Sequence, residues 1–364
     1  MKKYKFILSG GGTGGHIFPA LSIAEKIIER FPECELLFVG AQGKMEMKII
    51  PDQGYKMSGL WISGFDRNNY FKNILLPLKI IISFFQSIII HLKFKPDLVI
   101  GTGGFASGPI LFVSSLMKTY TMIQEQNSLP GITNRLLSKK VKKIFVAHNN
   151  MENFFPKNKI IITGNPIRKS FFNLNESKKT CIDFFKLELS KKTIGIIGGS
   201  LGSERINQII ESIIPFLTKN NYQIIWQCGK VYHKEIKYLE KKSYIKIFPF
   251  INKMNYFYKA SDIVISRSGA ISISELSFFG KPCILIPSPN VSENHQFHNA
   301  NYLRKIGGAE IFRENDPVSK IEFLIKKILD SKDIQLKMRR SLLDFSKPNA
   351  SELIVDEIFK KLND

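Results

Sequence analysis

The sequence predicts an α/β protein made of two doubly wound parallel-sheet domains that face each other across a cleft. Three observations predict it. Short β-branched runs alternate with helical stretches along the whole chain, the pattern of a parallel sheet with crossover helices. Three of the strands run directly into glycine-rich turns: Gly10–His16, Gly101–Pro109 and Gly198–Ser203. The pattern also restarts after Gly164-Asn165-Pro166-Ile167-Arg168, which reads as a linker. At 364 residues the chain is long enough for two separate cores. The boundaries read as 1–166 and 167–346, with a C-terminal helix at about 347–364 returning to the first domain.

Tyr4–Ser9 reads as the first strand and Ile17–Arg30 as the first helix, with Pro19 in its first turn. Between them, Gly10, Gly12 and Gly15 satisfy G-x-G-x-x-G, a weak signal when it stands alone. A dinucleotide fold wants an acid after the second strand. That strand, Glu35–Val39, ends in Gly40-Ala41-Gln42, which speaks against a nicotinamide cofactor and an oxidoreductase. No G-x-x-x-x-G-K-[ST] is present, so P-loop chemistry is excluded. Lys72–Lys95 holds the most apolar run. As a helix it carries one narrow polar stripe, Lys79, Ser83, Gln86 and Lys93, and a broad apolar face. Two readings stay open: a helix packed on the sheet, or a patch dipping into a membrane and ringed by Lys72, Lys93 and Lys95. Pro77 and Lys79 argue against a span. Asp97–Ile100 is a strand that opens the second glycine turn. Tyr120–Gln124 ends in Glu125-Gln126-Asn127, polar residues where α/β folds place ligands. Lys142–Ala147 and Lys159–Thr163 complete this half.

In the second half Thr193–Ile197 is a strand, Gly198–Ser203 its turn, and Glu204–Leu217 a helix. Gln223–Trp226 and Lys246–Phe250 are strands. Ile263–Ile265 follows, broken by Arg267, Ser268 and Gly269; then helix Ala270–Phe279, stopped by Gly280 and Pro282, and strand Cys283–Ile286. The small residues at that helix start leave backbone N–H groups and a dipole suited to an anion. Glu275, just over one turn on, can take two vicinal ribose hydroxyls. Equally, Ser272-Ile273-Ser274-Glu275 fits a capping box. Glu293-Asn294-His295-Gln296 precedes a further helix, and an amphipathic helix near Ser351–Leu362 closes the chain.

The net charge is +22, from 53 Lys+Arg against 31 Asp+Glu. That favours anionic partners such as a phosphorylated substrate or an acidic membrane; the lysines are scattered and no nucleic-acid motif is present, so nucleic acid is not expected. Cys34, Cys181, Cys228 and Cys283 are far apart with no C-x-x-C, which points to reduced thiols rather than zinc or a disulfide framework. The N-terminal apolar stretch is too short for a signal peptide.

With these motifs placed, the chain resembles, over nearly its full length, the MurG family: UDP-N-acetylglucosamine transferases acting on undecaprenyl-pyrophosphoryl muramyl-pentapeptide in peptidoglycan synthesis. The matching stretches are Gly11–Ala20, Gly103–Pro109, Gln124–Asn134, Gly164–Arg168, Gly198–Asn207, Arg267–Glu275 and His295–Ala300. The resemblance implies a GT-B fold of two Rossmann-like domains, with the nucleotide-sugar held mainly by the second. It implies UDP on Ala270, Ile271, Ser272, Ile273, Ser274 and Glu275, with Glu275 on the ribose and the Ile251 backbone on the uracil. Ser200 and Arg168 would meet the donor diphosphate, Gln296 and Asn127 the GlcNAc. Thr13, Gly14 and Gly15 would line the donor–acceptor junction beside His16. Gly103 and Gly104 fall to the acceptor side, with Ile74, Leu75, Leu78, Ile81, Ile82, Phe85 and Lys72 toward the membrane. The implied reaction is inversion: the muramyl C4 hydroxyl displaces UDP, with His16 the candidate base or its positioning partner and Glu125 the alternative. UDP-GlcNAc is a substrate; no tightly bound cofactor and no metal are expected, since these enzymes build no metal cage. The expected place is the cytoplasmic face of the inner membrane, held peripherally. Gln124 stands where members often have His, and Leu201 where many have Gln. A UDP-GlcNAc 2-epimerase or a glycolipid glycosyltransferase of the same fold is the competing reading.

Overall fold

The computed structural model describes residues 3–65, 70–173, 175–291 and 294–363, so Glu293 of the sequence reading lies outside the described residues. Contacts divide the chain into two units: the described residues of Met1–Lys169 with Lys347–Asp364, and those of Ser170–Ser346.

The first unit holds seven parallel strands: β1 Lys5–Gly10, β2 Glu35–Ala41, β3 Lys56–Leu60, β4 Leu98–Gly103, β5 Tyr120–Glu125, β6 Lys143–Val146 and β7 Ile160–Ile162. Their order is β3-β2-β1-β4-β5-β6-β7. The strand order reverses between β1 and β4, where Phe6 to Ser9 align with Leu98 to Gly101. Loops leaving two neighbouring strands in opposite directions open a crevice at this switch point, and the first two glycine turns are those loops. Apolar side chains cover both sheet faces; Phe6, Leu8, Ile23 and Ile100 centre one core, Ile7, Val99, Ile110 and Ile144 the other. The C-terminal helix Ala350–Asn363 belongs to this unit. It buries Ile354, Val355 and Ile358 in the first core, and Arg30 lies 4.4 Å over the Phe359 ring.

The second unit repeats the plan with six strands: β8 Thr193–Ile197, β9 Gln223–Gln227, β10 Ile245–Phe248, β11 Ile263–Ser266, β12 Cys283–Leu285 and β13 Ala309–Ile311, ordered β10-β9-β8-β11-β12-β13. Its switch point lies between β8 and β11, so the third glycine turn and the Arg267–Gly269 turn share one end of the sheet. An isoleucine-rich core around Trp226 and Phe312 supports it.

Several details differ from the sequence reading; the helix read as Glu204–Leu217, for one, is two, Glu204–Ser212 and Ile214–Lys219. The first helix begins at Gly14, not Ile17, because the Thr13 carbonyl accepts the N–H of both His16 and Ile17. His16 therefore lies inside the first helical turn, and Pro19 one turn deeper. The capping box at Ser272–Glu275 does not form. The helix Ala270–Phe279 is capped by Gly269, whose carbonyl takes the Ile273 N–H, so Ser272 falls within the first turn. Finally, helix Leu76–Phe94 turns only part of its polar stripe inward: Ser83 is buried, Lys79 and Gln86 half-buried and Lys93 exposed. Ser83, Ser87 and His91 are buried while Ile74, Leu75, Leu78, Ile81, Phe85, Ile89 and Leu92 are exposed.

Candidate active site

In the first unit, glycine conformation sets the site. Gly103 and Gly104 have φ of +98° and +79°, a region costly for L side chains. A Cβ on Gly103 would stand 3.1 Å from His16 Cδ2, and one on Gly104 3.1 Å from His16 Nδ1. The second glycine turn is thus the wall against which the His16 ring lies. His16 Nδ1 is 3.1 Å from the Gly11 carbonyl and 3.2 Å from Thr13 Oγ1. A carbonyl only accepts, so Nδ1 carries the proton, and in the neutral ring Nε2 bears the lone pair. Thr102 Oγ1 donates to the His16 carbonyl at 2.8 Å, joining the first helix to β4.

A polar network continues from there. Gln126 Nε2 donates to the Thr102 carbonyl (2.7 Å), and Asn165 Nδ2 to the Gln126 carbonyl (3.1 Å). Gln124 Nε2 donates to Asn165 Oδ1 (2.9 Å). Gln124 therefore holds the linker at Asn165. Glu125 accepts from the Asn127 N–H (2.9 Å), Asn127 Nδ2 (3.1 Å), the Gly131 N–H (3.1 Å) and Asn134 Nδ2 (2.9 Å). Burial pushes its carboxyl up, and these four donors pull against that. Glu125 clamps the loop that carries Asn127. Arg168 lies 4.5 Å over the Phe18 ring, within this unit.

The second unit assembles the other set. Ser268 Oγ donates to the Gln296 carbonyl (2.8 Å), and Gln296 Oε1 accepts the Ser288 N–H (3.0 Å). Gln296 is thereby brought to the turn that starts helix Ala270–Phe279. Ala270, Ile271 and Ile273 are buried, Ser272 and Ser274 half-buried. Glu275 is buried too, its Oε2 accepting from the Tyr258 hydroxyl at 2.9 Å. A cavity of about 540 Å³ in this unit is lined by Pro287, Ser288, Phe297, Arg313 and Asp316 among others. Ser200 sits half-buried on the third glycine turn, with exposed Leu201 next to it.

Two residues of this unit were given no role in the sequence reading. Gln227, at the end of β9, donates to the Gly199 carbonyl (2.9 Å) and accepts the Ile251 N–H (2.7 Å), so one side chain ties Ile251 to the third glycine turn. Arg267 donates to Ser203 Oγ (2.6 Å) and the Ile286 carbonyl (3.0 Å) and pairs with Glu314 (2.6 Å). Its charge is spent within the protein, and it locks the two switch-point turns together. The only signal in the sequence was position at a strand's carboxyl end. Among the described residues no group of three or more His, Cys, Asp or Glu is gathered as a metal would require.

On the first unit's surface, helix Leu76–Phe94 rests on helix Ser107–Leu116. His91 Nδ1 meets Ser114 Oγ at 3.0 Å, its Nε2 meets Thr119 Oγ1 at 3.2 Å, and Gln86 Oε1 accepts the Trp61 N–H at 2.8 Å. Outward, Ile74 is 71% and Phe85 62% exposed; Ile82 is half-buried, and Leu116 and Met117 at the end of the neighbouring helix are exposed as well. Lys93 and Lys95 are exposed at its end, and the Lys72 side chain lies outside the described residues.

Residues 6–146 match the glycosyltransferase family 28 N-terminal domain and residues 193–354 the glycosyltransferase family 28 C-terminal domain. Two parallel-sheet units with paired turns at each switch point are, in this chain, the fold of a glycosyltransferase. Two proteins named UDP-N-acetylglucosamine--N-acetylmuramyl-(pentapeptide) pyrophosphoryl-undecaprenol N-acetylglucosamine transferase are similar end to end. That of Flavobacterium psychrophilum is 51% identical over 99% of this chain and 98% of its own length. That of Cytophaga hutchinsonii is 44% identical over 100% and 98%. The crystal structure of Acinetobacter baumannii MurG superposes with a TM-score of 0.76 at 25% identity, covering 99% of this chain and 100% of that one. A UDP-GlcNAc 2-epimerase from Neisseria meningitidis bound to UDP-GlcNAc shares the fold, with a TM-score of 0.69 at 18% identity over 98% and 100%. The chain belongs to the MurG family of N-acetylglucosamine transferases.

Proposed function

We propose that this enzyme moves GlcNAc from UDP-GlcNAc to the C4 hydroxyl of the muramyl residue of undecaprenyl-pyrophosphoryl-MurNAc-pentapeptide, with inversion, converting lipid I to lipid II. What carries the reading is the end-to-end identity with transferases of that name. The second unit holds the donor. The helix start at Ala270 offers N–H groups to the diphosphate with Ser200, Glu275 takes the ribose, and Gln296 the sugar. Gln227 occupies the Ile251 N–H, which gives the Ile251 carbonyl to the pyrimidine N–H.

On the first unit His16 is the base. Its Nδ1 proton is held by Gly11, so Nε2 receives the proton of the attacking hydroxyl while the C–O bond to UDP breaks. The four donors on Glu125 support His16 over Glu125, because a carboxylate that saturated has to release its loop before it can take a proton. Arg168 and Asn127 keep their donor-side roles in this reading. Attachment is peripheral, to the cytoplasmic face of the inner membrane, through the exposed side of helix Leu76–Phe94 and its basic end.

Incubation with UDP-GlcNAc and a lipid-linked muramyl acceptor tests the reaction. Disaccharide and UDP in equal amounts are expected; epimerised sugar without acceptor overturns the reading in favour of a 2-epimerase. His16→Ala is expected to slow turnover about 10²–10⁴-fold with UDP-GlcNAc binding little changed. Binding that falls in step with turnover would move His16 to a phosphate-contacting role.

A further inference from the structure

Glu46 is fully buried, and no reading of the sequence gave it a task. It opens helix Glu46–Asp52, just beyond β2. Its Oε1 accepts the Ala41 N–H at 3.1 Å, and its Oε2 accepts the Gly12 N–H at 3.0 Å. The Gly12 N–H belongs to the same peptide group as the Gly11 carbonyl, and that carbonyl takes the Nδ1 proton of His16 at 3.1 Å. Carboxylate, peptide and imidazole are thus joined in one line of hydrogen bonds. The approach requires a glycine: a Cβ on Gly11 would collide with the Glu46 carboxyl group.

A peptide group that donates to a carboxylate becomes a better acceptor at its carbonyl, because successive hydrogen bonds polarise one another and a charged acceptor strengthens the first of them. The Gly11 carbonyl therefore grips the Nδ1 proton more firmly than an isolated carbonyl would. That fixes the tautomer, leaves the lone pair on Nε2, and sets the Glu46 carboxylate one peptide away from the ring that becomes cationic on proton uptake. In hydrolases a carboxylate performs this task by bonding directly to the imidazole; here a peptide group is interposed.

We propose that Glu46 is a positioning residue of the transfer reaction, acting on His16 through the Gly11–Gly12 peptide. The kinetic arm of the proposal rests on His16 being the base; the tautomer arm does not. Nitrogen-15 spectra of the histidine rings in the full-length chain, with the His16 signal assigned by its loss in His16→Gln, read the tautomer directly. At a pH where the ring is neutral, wild type is expected to hold the Nδ1–H form. Glu46→Gln keeps the shape, but its amide can accept only one of the two N–H groups. It is expected to bring in the Nε2–H form and to lower kcat about 10- to 100-fold, with KM for UDP-GlcNAc changed less than about twofold.

A wild-type ring in the Nε2–H form overturns the proposal without any variant, even where Glu46→Gln fails to fold. So does a folded Glu46→Gln with wild-type tautomer, or a KM that rises as kcat falls. If His16→Ala retains full turnover while Glu46→Gln still shifts the tautomer, the base reading fails and the relay stands. If His16→Ala is inactive and the tautomer ignores Glu46, the relay fails and the base reading stands.

Discussion

His148 follows β6 in the first unit and is almost wholly buried. Burial drives its pKa from 6.5 down to about 4, with a backbone hydrogen bond at Gln126 opposing and the charge of Lys347 assisting. The folded-state value lies below the unfolded one, so between them the unfolded chain binds the proton that the native ring refuses. Stability from this group is therefore full above pH ~6.5 and falls as pH drops toward ~4. Each pKa unit is worth about 1.4 kcal/mol, so the whole shift amounts to roughly 3 kcal/mol, and about 2 kcal/mol of it is lost by a pH near 5. His148→Gln keeps a polar side chain of similar size and does not titrate. Trp61 reports on the first unit once Trp226, in the second, is replaced by Phe. Urea unfolding followed by Trp61 at pH about 7 and about 5 then gives the comparison. The His148 protein is expected to lose about 2 kcal/mol more than His148→Gln over that interval. Equal losses would refute the assignment of this acid sensitivity to His148.

Gly103→Ala forces a left-handed alanine, costing about 1–2 kcal/mol, and presses its Cβ on the His16 ring. Turnover should fall at least about 10-fold in a protein that still folds by circular dichroism, whereas Gly108→Ala, whose Cβ meets only Thr133 Cγ2 at 3.5 Å, should behave like wild type. Glu275→Ala should weaken UDP binding by about 1–3 kcal/mol in calorimetry, and unchanged affinity would remove the ribose role. Replacing Ile81 and Phe85 together by Asp should abolish co-sedimentation with anionic vesicles. In the unmutated protein that binding should weaken with salt, since charges are screened beyond ~8 Å at physiological ionic strength; binding equal on neutral vesicles would exclude the electrostatic part.

The glycine turns were legible because their signal is local: a β-branched run followed by residues that tolerate positive φ. Once strand order is known, these turns fall at the two switch points and the site follows. The residues that hold the turns were not legible, because their partners are distant in sequence. Glu46 reaches back to Gly12, Gln227 bridges Gly199 and Ile251, and Arg267 meets Ser203, Ile286 and Glu314. Each contact depends on strand register and on where a loop leaves its strand, which no window of sequence encodes. The capping box failed for a different reason. Ser-x-x-Glu marks a helix start only if the helix begins at the Ser, and Gly269 had already started it.

Helix Leu76–Phe94 shows what periodicity alone leaves undecided. A hydrophobic stripe says that a helix has two faces; it does not say which face meets the protein. Here the inward side combines apolar packing, with Phe84 edge-on to Phe112 and Ile90 and Phe94 against the core, and polar groups that are hydrogen-bonded. Ser83 and Ser87 satisfy their hydroxyls on the Ile80 and Ser83 carbonyls at 2.7 Å each, so burying them strands no polar atom. His91 bonds Ser114 and Thr119, Gln86 takes the Trp61 N–H, and Lys79 Nζ donates to Ser63 at 3.2 Å. These bonds fix the helix to the first unit along its polar edge. On the helix Leu78, Ile80, Ile81, Phe85, Ile89 and Leu92 are left outward, with Ile74 and Leu75 just before it, a concentration of exposed apolar side chains of the kind that marks interaction surfaces. The helix's length and composition would also suit a span. A span, however, would pull Ser63, Trp61, Ser114 and Thr119 off their partners and leave polar groups unmatched in hydrocarbon. The same bonds that turn the apolar face outward therefore keep the helix on the membrane surface in the proposed mode of attachment.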